Sequence, residues 1–308
     1  MNNPQSGPPG YSLILGEGIE WWMSSDTALS PWLKKLASIL ELNPCRSRGS
    51  PKFIFTASGN GSCPKICHEL LTGDQNLDDS DHTWSEHGRR SLRFWRNNQI
   101  SDVVCEIRDR SPGEMEYINM LVSLEPVYQQ CVQAGGLPFH STLAEFRGGG
   151  ILLAASGNMG KSTCFQRLPE PWKPLCDDEV LVVREPSGIF FAHPFPTWSN
   201  YLRCVHDTTQ ASWNVQAGVP LKAVFFLEQS ETDQISALGK GEAAVLMTQS
   251  AIQVSRKFKR DKKSAWKAPE KNKMFDNACL LAKKVPAYWL KVSLTGNFWE
   301  GMERVLAA

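Results

Sequence analysis

The sequence predicts an α/β fold, a mixed sheet with flanking helices, preceded by a smaller N-terminal α+β region. Runs rich in Val, Ile and Phe alternate with helical patterns through the second half of the chain. A strand, a glycine-containing loop, Lys161 and a short helix follow one another directly, which is typical of a phosphate-binding loop. The 308 residues give room for one large domain or two ordinary ones.

The first hundred residues divide into a tail and a compact region. Residues 1–10 contain three prolines and predict a disordered tail. We expect residues 11–100 to form the α+β region and to recognise a substrate or partner. The pattern predicts a hairpin over 11–23, a helix over 30–42, a strand over 52–56 and an exposed polar loop over 74–90.

Residues 101–308 are predicted to form the catalytic domain. A strand over 101–108 is followed by a helical pattern over 113–133, which Pro126 kinks or divides. Further strands are predicted over 137–147, 151–155, 179–184, 188–192, 221–227 and 288–292, and helices over 242–254, 277–284 and 297–306.

Composition excludes several classes of protein. The net charge is +1, from 33 Lys and Arg against 32 Asp and Glu, so no global field attracts nucleic acid or anionic lipid. The apolar runs are far shorter than the ~20 residues that span a bilayer, and the N-terminus lacks the pattern of a secretory signal. Nine scattered cysteines favour free thiols, with a metal site at Cys63, Cys67 and His68 as the weaker alternative. We therefore expect a cytoplasmic protein that binds neither a membrane nor a specific nucleic acid.

The strongest motif runs from Ile151 to Thr163. It fits the phosphate-loop template, with Ala155 where the first glycine of the template would stand. Its glycines let backbone N–H groups face phosphate oxygens, and Lys161 neutralises the terminal phosphates. The alternative is a chance glycine-rich turn before a helix. The residues predicted to bind the nucleotide are Ser156, Gly157, Asn158, Met159, Gly160, Lys161, Ser162 and Thr163.

A pair of carboxylates, Asp177 and Asp178, follows the loop. Phosphoryl transfer uses one acid to hold Mg²⁺ and often a second to accept the proton of a hydroxyl acceptor. Because Pro169 ends the helix early, the connection admits only a two-turn helix and a return strand, which would place the acids beside the loop. Two solvated acids in a turn are the competing interpretation.

These motifs resemble the catalytic domain of HPr kinase/phosphorylase. The resemblance covers residues 137–185 and rests on His140, the loop with Lys161 and Ser162, and the acid pair, in that order. It implies a P-loop kinase domain that uses ATP and Mg²⁺. By the same resemblance, Lys161 would bind the β- and γ-phosphates, Ser162 and Asp178 would hold Mg²⁺, Asp177 would deprotonate the acceptor serine, and His140 would lie near the transferred phosphate. A histidine satisfied at a strand edge is the alternative for His140.

The residues Gly160 to Cys164 and Pro174 to Glu179 are also similar to the SynChlorMet cassette member of the kinase-like proteins of peptide-maturation clusters. This similarity implies a serine or threonine kinase of a ribosomally synthesised precursor peptide, with other maturation enzymes as partners and a homo-oligomer left open. A nucleotide-gated module that binds or delivers the peptide without phosphoryl transfer is the alternative. The chain lacks the Arg–Gly signature of the bacterial enzymes after the acid pair, which argues against HPr as the substrate.

A basic stretch, residues 256–273, holds nine Lys and Arg against two acids. Charge of this density, with Phe258 and Trp266 interleaved, suits the capture of an acidic peptide. A solvated loop is the competing interpretation.

Overall fold

The computed structural model describes residues 10–46, 49, 51–57, 64–73, 84–89, 91–155, 159–203, 211–258 and 268–307. Within them the chain divides into two compact units. The first comprises Met1–Ile14, Ile19–Pro126 and Trp198–Ser212, and the second comprises Leu15–Gly18, Val127–Thr197 and Trp213–Ala308. The predicted tail therefore falls, apart from Gly10, outside the described residues. The sequence-based boundary at residue 101 lies inside the first unit.

The first unit is built on a mixed sheet with the strand order β3-β1-β2-β4-β7-β6-β5. The strands are β1 (Gly10–Leu15), β2 (Ile19–Ser25), β3 (Asn43–Cys45), β4 (Lys52–Ala57), β5 (Trp84–Arg89), β6 (Leu92–Asn97) and β7 (Val103–Ile107). The helices are α1 (Ser30–Ile39), α2 (Pro64–Thr72), α3 (Glu114–Ser123) and α6 (Trp198–Arg203), with a 3-10 turn at Thr27–Leu29.

The middle of this sheet is parallel and buried on both faces. β4 pairs in parallel with both β2 and β7. Phe53, Ile54 and Phe55 are fully buried in succession, which is typical of a strand covered on both sides. The prediction of a loop over 74–90 was wrong for residues 84–89, since these pair with β6 as an edge strand, and 74–83 lie outside the described residues.

The second unit is built on a larger mixed sheet. Its main path is β11-β9-β10-β14-β13-β12-β8, and β16 pairs with β14 and β15. The strands are β8 (Leu137–Phe139), β9 (Ser141–Phe146), β10 (Gly149–Ala154), β11 (Lys173–Cys176), β12 (Glu179–Arg184), β13 (Phe190–Phe195), β14 (Val219–Gln229), β15 (Gln234–Ala237) and β16 (Ala287–Val292). The helices are α4 (Glu125–Gln133), α5 (Lys161–Arg167), α7 (Lys240–Ser255), α8 (Ala268–Lys284) and α9 (Phe298–Ala307).

β14 organises this unit because it pairs in parallel with both β10 and β16. The carboxyl ends of parallel neighbours meet at one edge of a sheet, which is where ligand sites form in α/β folds. One face of the three strands packs on α9, where Phe298 and Met302 join Leu153, Phe225 and Leu290 in a buried cluster. α7 and α8 pack against each other and against β8.

The mixed α/β class with flanking helices is confirmed, and three local predictions need correction. β10 begins at Gly149 and not at Ile151, because Gly149 and Gly150 pair with β9. The helical pattern over 113–133 is two helices that separate at Leu124, and Pro126 stands in the first turn of the second, where a proline is tolerated. α8 begins at Ala268, nine residues before the predicted start.

Among the described residues, no helix combines the length and the apolar character that crossing a membrane requires.

Candidate functional site

Three neighbouring strands of the second unit bring the predicted site residues to one edge of the sheet. β10 and β11 both pair antiparallel with β9, which lies between them. The carboxyl ends of β10 and β11 therefore lie beside the amino end of β9. The register pairs Ala154 with Ser141, and β11 ends at Cys176. The segment after β10, the residue before β9 and the acid pair after β11 thus emerge together, at what we call the site edge.

A second pairing brings His140 and the acids together from the other side. Phe139 on β8 pairs with Val180 on β12. His140 follows Phe139, and the acid pair closely precedes Val180. Because antiparallel strands bring such flanking residues into proximity, His140 is held next to the acids by backbone pairing alone.

Lys161 is the first residue of α5, and its side chain reaches back to the residue that follows β10. Its Nζ donates a hydrogen bond to the carbonyl of Ala155 at 3.0 Å and lies 3.1 Å from His140 Nε2. The residue is only 8% exposed. Burial lowers the pKa of Lys161, while the carboxylates of Asp178 and Asp177 oppose that shift. The Lys161 ammonium is thus buried and close to both acids.

His140 bridges Lys161 and Asp178. Its Nδ1 lies 3.1 Å from Asp178 Oδ1 and 3.1 Å from the carbonyl oxygen of the same residue. Its backbone N–H donates to the hydroxyl of Ser250 at 2.9 Å, which ties it to α7. The alternative of a satisfied strand-edge histidine therefore describes part of its bonding, but both ring nitrogens face groups predicted to belong to the site.

Lys257 joins the site, although it was assigned to the basic stretch from the sequence. It lies on a 3-10 turn, Arg256–Phe258, that follows α7. Its Nζ is 3.3 Å from Asp178 Oδ2 and also donates to Glu179 Oε2. Glu179 is fully buried. Despite the opposing effect of burial, the two carboxylates raise the pKa of Lys257 to about 12. The ammonium therefore stays charged.

Asp178 lies between His140 and Lys257. Hydrogen bonds and charges from His140 and Lys257 outweigh its burial and lower the pKa of this carboxyl far below its usual value. Asp178 therefore stays ionised at any physiological pH. A carboxylate of this kind suits the binding of a cation better than the acceptance of a proton.

Asp177 is in a different environment from its neighbour. Burial raises its pKa, against a hydrogen bond with the Ser162 side chain and the charge of Lys161. Its Oδ1 atom is buried and has no hydrogen-bond partner among the described residues. Buried polar atoms are normally paired, so an orphan oxygen here indicates a place for a ligand group. The pairing with Ser162 shows that this carboxylate reaches a hydroxyl beside the loop.

The remaining loop residues are described in part. Ser156, Gly157 and Asn158, predicted to bind phosphate, lie outside the described residues. Gly160 has φ +87°, a left-handed backbone that favours glycine, immediately before α5. Ser162 and Thr163 are exposed on the first turn of α5. Ala155 follows β10 directly and accepts the hydrogen bond from Lys161.

The residues present fit a magnesium ion that is held together with phosphate oxygens. Among the described residues, no cluster of three or more His, Cys, Asp and Glu forms a protein-only metal cage. Mg²⁺ usually keeps several waters and takes only one or two carboxylates, with substrate phosphates completing its shell. The hydroxyl of Ser162 and the ionised carboxylate of Asp178 are oxygen donors of this kind, and they leave the remaining positions to phosphate and water.

Two cavities lie on either side of Met159. The first, of about 280 Å³, is the Trp289 cavity. It is lined by Ala154, Ala155, Met159, Phe226, Leu227, Glu228, Leu246, Gln249, Ser250, Gln253 and Trp289. The second, of about 430 Å³, is the Arg167 cavity. It is lined by Met159, Gly160, Thr163, Cys164, Arg167, Gln229, Ser230, Glu231, Val292, Ser293 and Leu294.

The other described residues of the basic stretch lie beside Lys257 and at the start of α8. Arg256 is exposed beside Lys257, residues 259–267 lie outside the described residues, and residues 268–273 form the first turns of α8. The capture of an acidic peptide by this stretch stays a prediction, now without Lys257, since that residue is engaged with Asp178 and Glu179. Nothing in the local sequence distinguished Lys257 from its basic neighbours.

Comparison with known protein families finds a match over the second part of the chain. A family model described as SynChlorMet cassette protein ScmC matches residues 103–307. The matched segment contains His140, Lys161, the acid pair and Lys257, and it covers about two thirds of the chain. No curated protein matches the chain.

Proposed function

Because the chain belongs to the SynChlorMet cassette protein ScmC family, we propose that it is an ATP- and Mg²⁺-dependent kinase of a ribosomally synthesised precursor peptide. It would transfer the γ-phosphoryl group to a serine or threonine hydroxyl. The peptide substrate is inferred from the cassette family, and the kinase chemistry from the resemblance to HPr kinase. The same reasoning makes other proteins of the cassette its partners.

The observation that carries this proposal is the convergence at the site edge. Lys161 contacts His140, His140 contacts Asp178, and Asp177 contacts Ser162. A cation, a hydroxyl and two carboxylates in different protonation environments are the groups that phosphoryl transfer to a hydroxyl needs. These groups come from three separate segments between residues 140 and 178, and the fold brings them together.

Each side chain has a role that its environment suits. Lys161 would neutralise charge on the β- and γ-phosphates, and His140 would hold its ammonium in position. Asp177 would accept the proton of the acceptor hydroxyl, because its raised pKa makes it the better base of the pair. When bound at Ser162 and Asp178, Mg²⁺ would supply charge neutralisation between the phosphates.

The proposed reaction transfers the γ-phosphoryl group of ATP to the acceptor hydroxyl. The acceptor oxygen forms a bond to the γ-phosphorus, and the bond from that phosphorus to the oxygen bridging it to the β-phosphorus breaks. The hydroxyl proton passes to Asp177, and ADP leaves with the bridging oxygen. Lys161 and Lys257 are the cations nearest to the charge that is redistributed.

One observation favours the alternative of a nucleotide-gated binding module. In the structure both oxygens of Asp178 face cationic or proton-bearing groups, on His140 and Lys257. A module of this kind would bind ATP at Lys161 and change peptide affinity without transferring phosphate. The two functions differ in one measurement, which is covalent labelling of the peptide.

The test is incubation of the protein with γ-labelled ATP, Mg²⁺ and the precursor peptide of the same cassette. We expect label on a serine or threonine of the peptide, and loss of at least ~100-fold of the rate in Lys161→Ala. Lys173→Ala is the matched control, since Lys173 is an exposed lysine of the same unit, at 69% side-chain exposure. ATP binding without label on the peptide would overturn the kinase and leave the binding module.

A further inference from the structure

The two cavities beside Met159 differ in size, charge and connection to the site. The Arg167 cavity measures about 430 Å³, within the range of ~300–1,000 Å³ typical of small-molecule sites. The Trp289 cavity measures about 280 Å³, below that range. These differences determine which cavity suits the nucleoside and which suits the acceptor.

The Arg167 cavity lies on the side of Thr163, which lines it. Gly160 also lines it, so this cavity borders both sides of Lys161, the residue proposed to bind the terminal phosphates. An exposed Leu294, at 89% exposure, stands at the same cavity and offers an apolar surface to a base. The nucleoside therefore belongs to this side of the loop.

The Trp289 cavity is unsuited to a phosphate-bearing group. Of the described residues that line it none is basic, and Glu228, exposed at the carboxyl end of β14, is acidic. Its walls are largely apolar, with Phe226, Leu246 and Trp289 among them. Charge thus favours an uncharged or cationic occupant over an anionic one.

The Trp289 cavity is also joined to the proposed transfer site. Ser250 lines it, and the Ser250 hydroxyl accepts the backbone N–H of His140 at 2.9 Å. Two amides, Gln249 and Gln253, lie one turn apart on the α7 wall. Amide groups donate and accept hydrogen bonds, as a peptide backbone requires of its binding site.

We propose that the Trp289 cavity is the acceptor-side subsite and binds one large apolar side chain, aromatic or long aliphatic, that flanks the phosphorylated residue of the peptide. This inference rests on the proposed function, because the acceptor is the peptide that the proposed kinase phosphorylates. The volume can hold one large side chain, the wall is apolar with no basic residue among those described, and two glutamines can bind the adjacent peptide backbone.

The test uses a library of serine-centred synthetic peptides in which each flanking position is Phe, Leu, Ala or Asp. Phosphorylation is measured with labelled ATP, and peptide binding is measured separately by fluorescence anisotropy. Leu246→Trp fills the cavity, and Leu246→Ala enlarges it. Val245→Trp is the matched control, because Val245 is the preceding residue of α7, is 46% exposed and does not line the cavity.

For the wild type we expect one flanking position at which Phe or Leu gives at least ~10-fold tighter binding than Ala or Asp, within the range of one filled apolar pocket. Leu246→Trp should abolish that preference and leave ATP affinity unchanged, Leu246→Ala should shift it towards the larger side chain, and Val245→Trp should do neither. The inference is overturned if no apolar preference exists, or if Leu246→Trp weakens ATP and not the peptide.

The two readouts separate this inference from the proposed function. An apolar preference in binding, without any phosphorylation, would refute the kinase and support the subsite as a peptide pocket. Phosphorylation with no flanking preference would support the kinase and refute the subsite.

Discussion

Each unit of the molecule contains a histidine that contacts an aspartate, and the two pairs are built differently. In the first unit, His68 Nε2 lies 2.7 Å from Asp102 Oδ2, and the two side chains are 0% and 3% exposed. The backbone N–H of Lys52 also donates to Asp102, and the Thr72 hydroxyl lies by the other ring nitrogen. In the second unit, His140 and Asp178 are 15% and 22% exposed.

A histidine–carboxylate pair alone therefore does not indicate a functional site. The pair in the first unit is closed, because each of its polar groups faces a protein group and little of it reaches solvent. The pair in the second unit is part of a chain of contacts that runs from Lys161 to Lys257. Next to it lies an oxygen of Asp177 that has no hydrogen-bond partner in the described part of the chain. The His140–Asp178 pair differs from the His68–Asp102 pair in its greater exposure and in the neighbouring Asp177 oxygen, which no described residue hydrogen-bonds.

The largest contrast is expected between the two acids. Asp177→Asn should lower the rate of phosphoryl transfer about 1,000-fold, since it removes the proposed base, and should leave the free energy of unfolding almost unchanged. Asp102→Asn should leave the rate per folded molecule unchanged but lower the free energy of unfolding by about 2–3 kcal/mol, since it weakens a buried pair. Kinetics with labelled ATP and urea unfolding measure both. Equal effects of the two substitutions on either quantity would break the comparison.

Substitutions of the two histidines should separate an effect on the rate from an effect on stability in the same way, with a smaller loss of rate. His140→Ala should reduce the rate about 100-fold, because Lys161 and Asp178 lose the group that positions them. His68→Ala should lower the free energy of unfolding by about 2–3 kcal/mol, because it leaves Asp102 buried without its partner, and should not alter the rate. A loss of activity in His68→Ala below its melting temperature would mean that the buried pair also serves the reaction.

Adjacent basic residues test the part of the site that the sequence did not reveal. Lys257→Met should lower the rate about 10-fold and decrease the Mg²⁺ concentration needed for half-maximal rate, because Asp178 loses a competing cation. Arg256→Met removes the same charge from an exposed neighbouring position and is the control. If both variants respond alike, the effect comes from the charge of the basic stretch and not from the contact with Asp178.

The smallest effect concerns acid stability. The pKa of Asp178 is lowered in the folded state, so its contribution to stability is present above its unfolded pKa of about 4 and is lost as the pH falls below it, towards the folded pKa. In His140→Ala and Lys257→Met this contribution should shrink, and the fall in stability between pH 4 and 2 should become shallower. Melting temperatures across that range measure it, and a slope identical to that of the wild type would contradict the assignment.

Local patterns predicted those parts of the structure that depend on adjacent residues. Pro169 ends α5 at Arg167, and a return strand leads to the acid pair, as the short connection predicted. The strand predicted over 179–184 is observed with those bounds. These elements could be predicted because proline and alternating apolar residues act within a few positions of the chain.

Features that depend on distant residues could not be predicted. Lys257 reaches Asp178 across 79 positions of the chain, and its basic neighbours have the same local character. β3 contains Pro44, which from sequence indicated a helix end and not a strand, and its position at the sheet edge is what makes the proline tolerable. Both cases depend on a contact with a distant segment, by a side chain for Lys257 and by strand pairing for β3, which no single segment encodes.

The pairing of β10, β9 and β11 has a consequence for how the molecule works. Since the segments that carry Lys161 and the acid pair follow β10 and β11, which flank β9 in one sheet, their spacing is set when the chain folds and not when a substrate arrives. Lys161 and the acids therefore need no closure around a ligand to come together. Lys257 lies on the turn after α7, far along the chain from these strands. Specificity for a new peptide could therefore evolve on α7 and its following turn while the chemical groups keep their spacing.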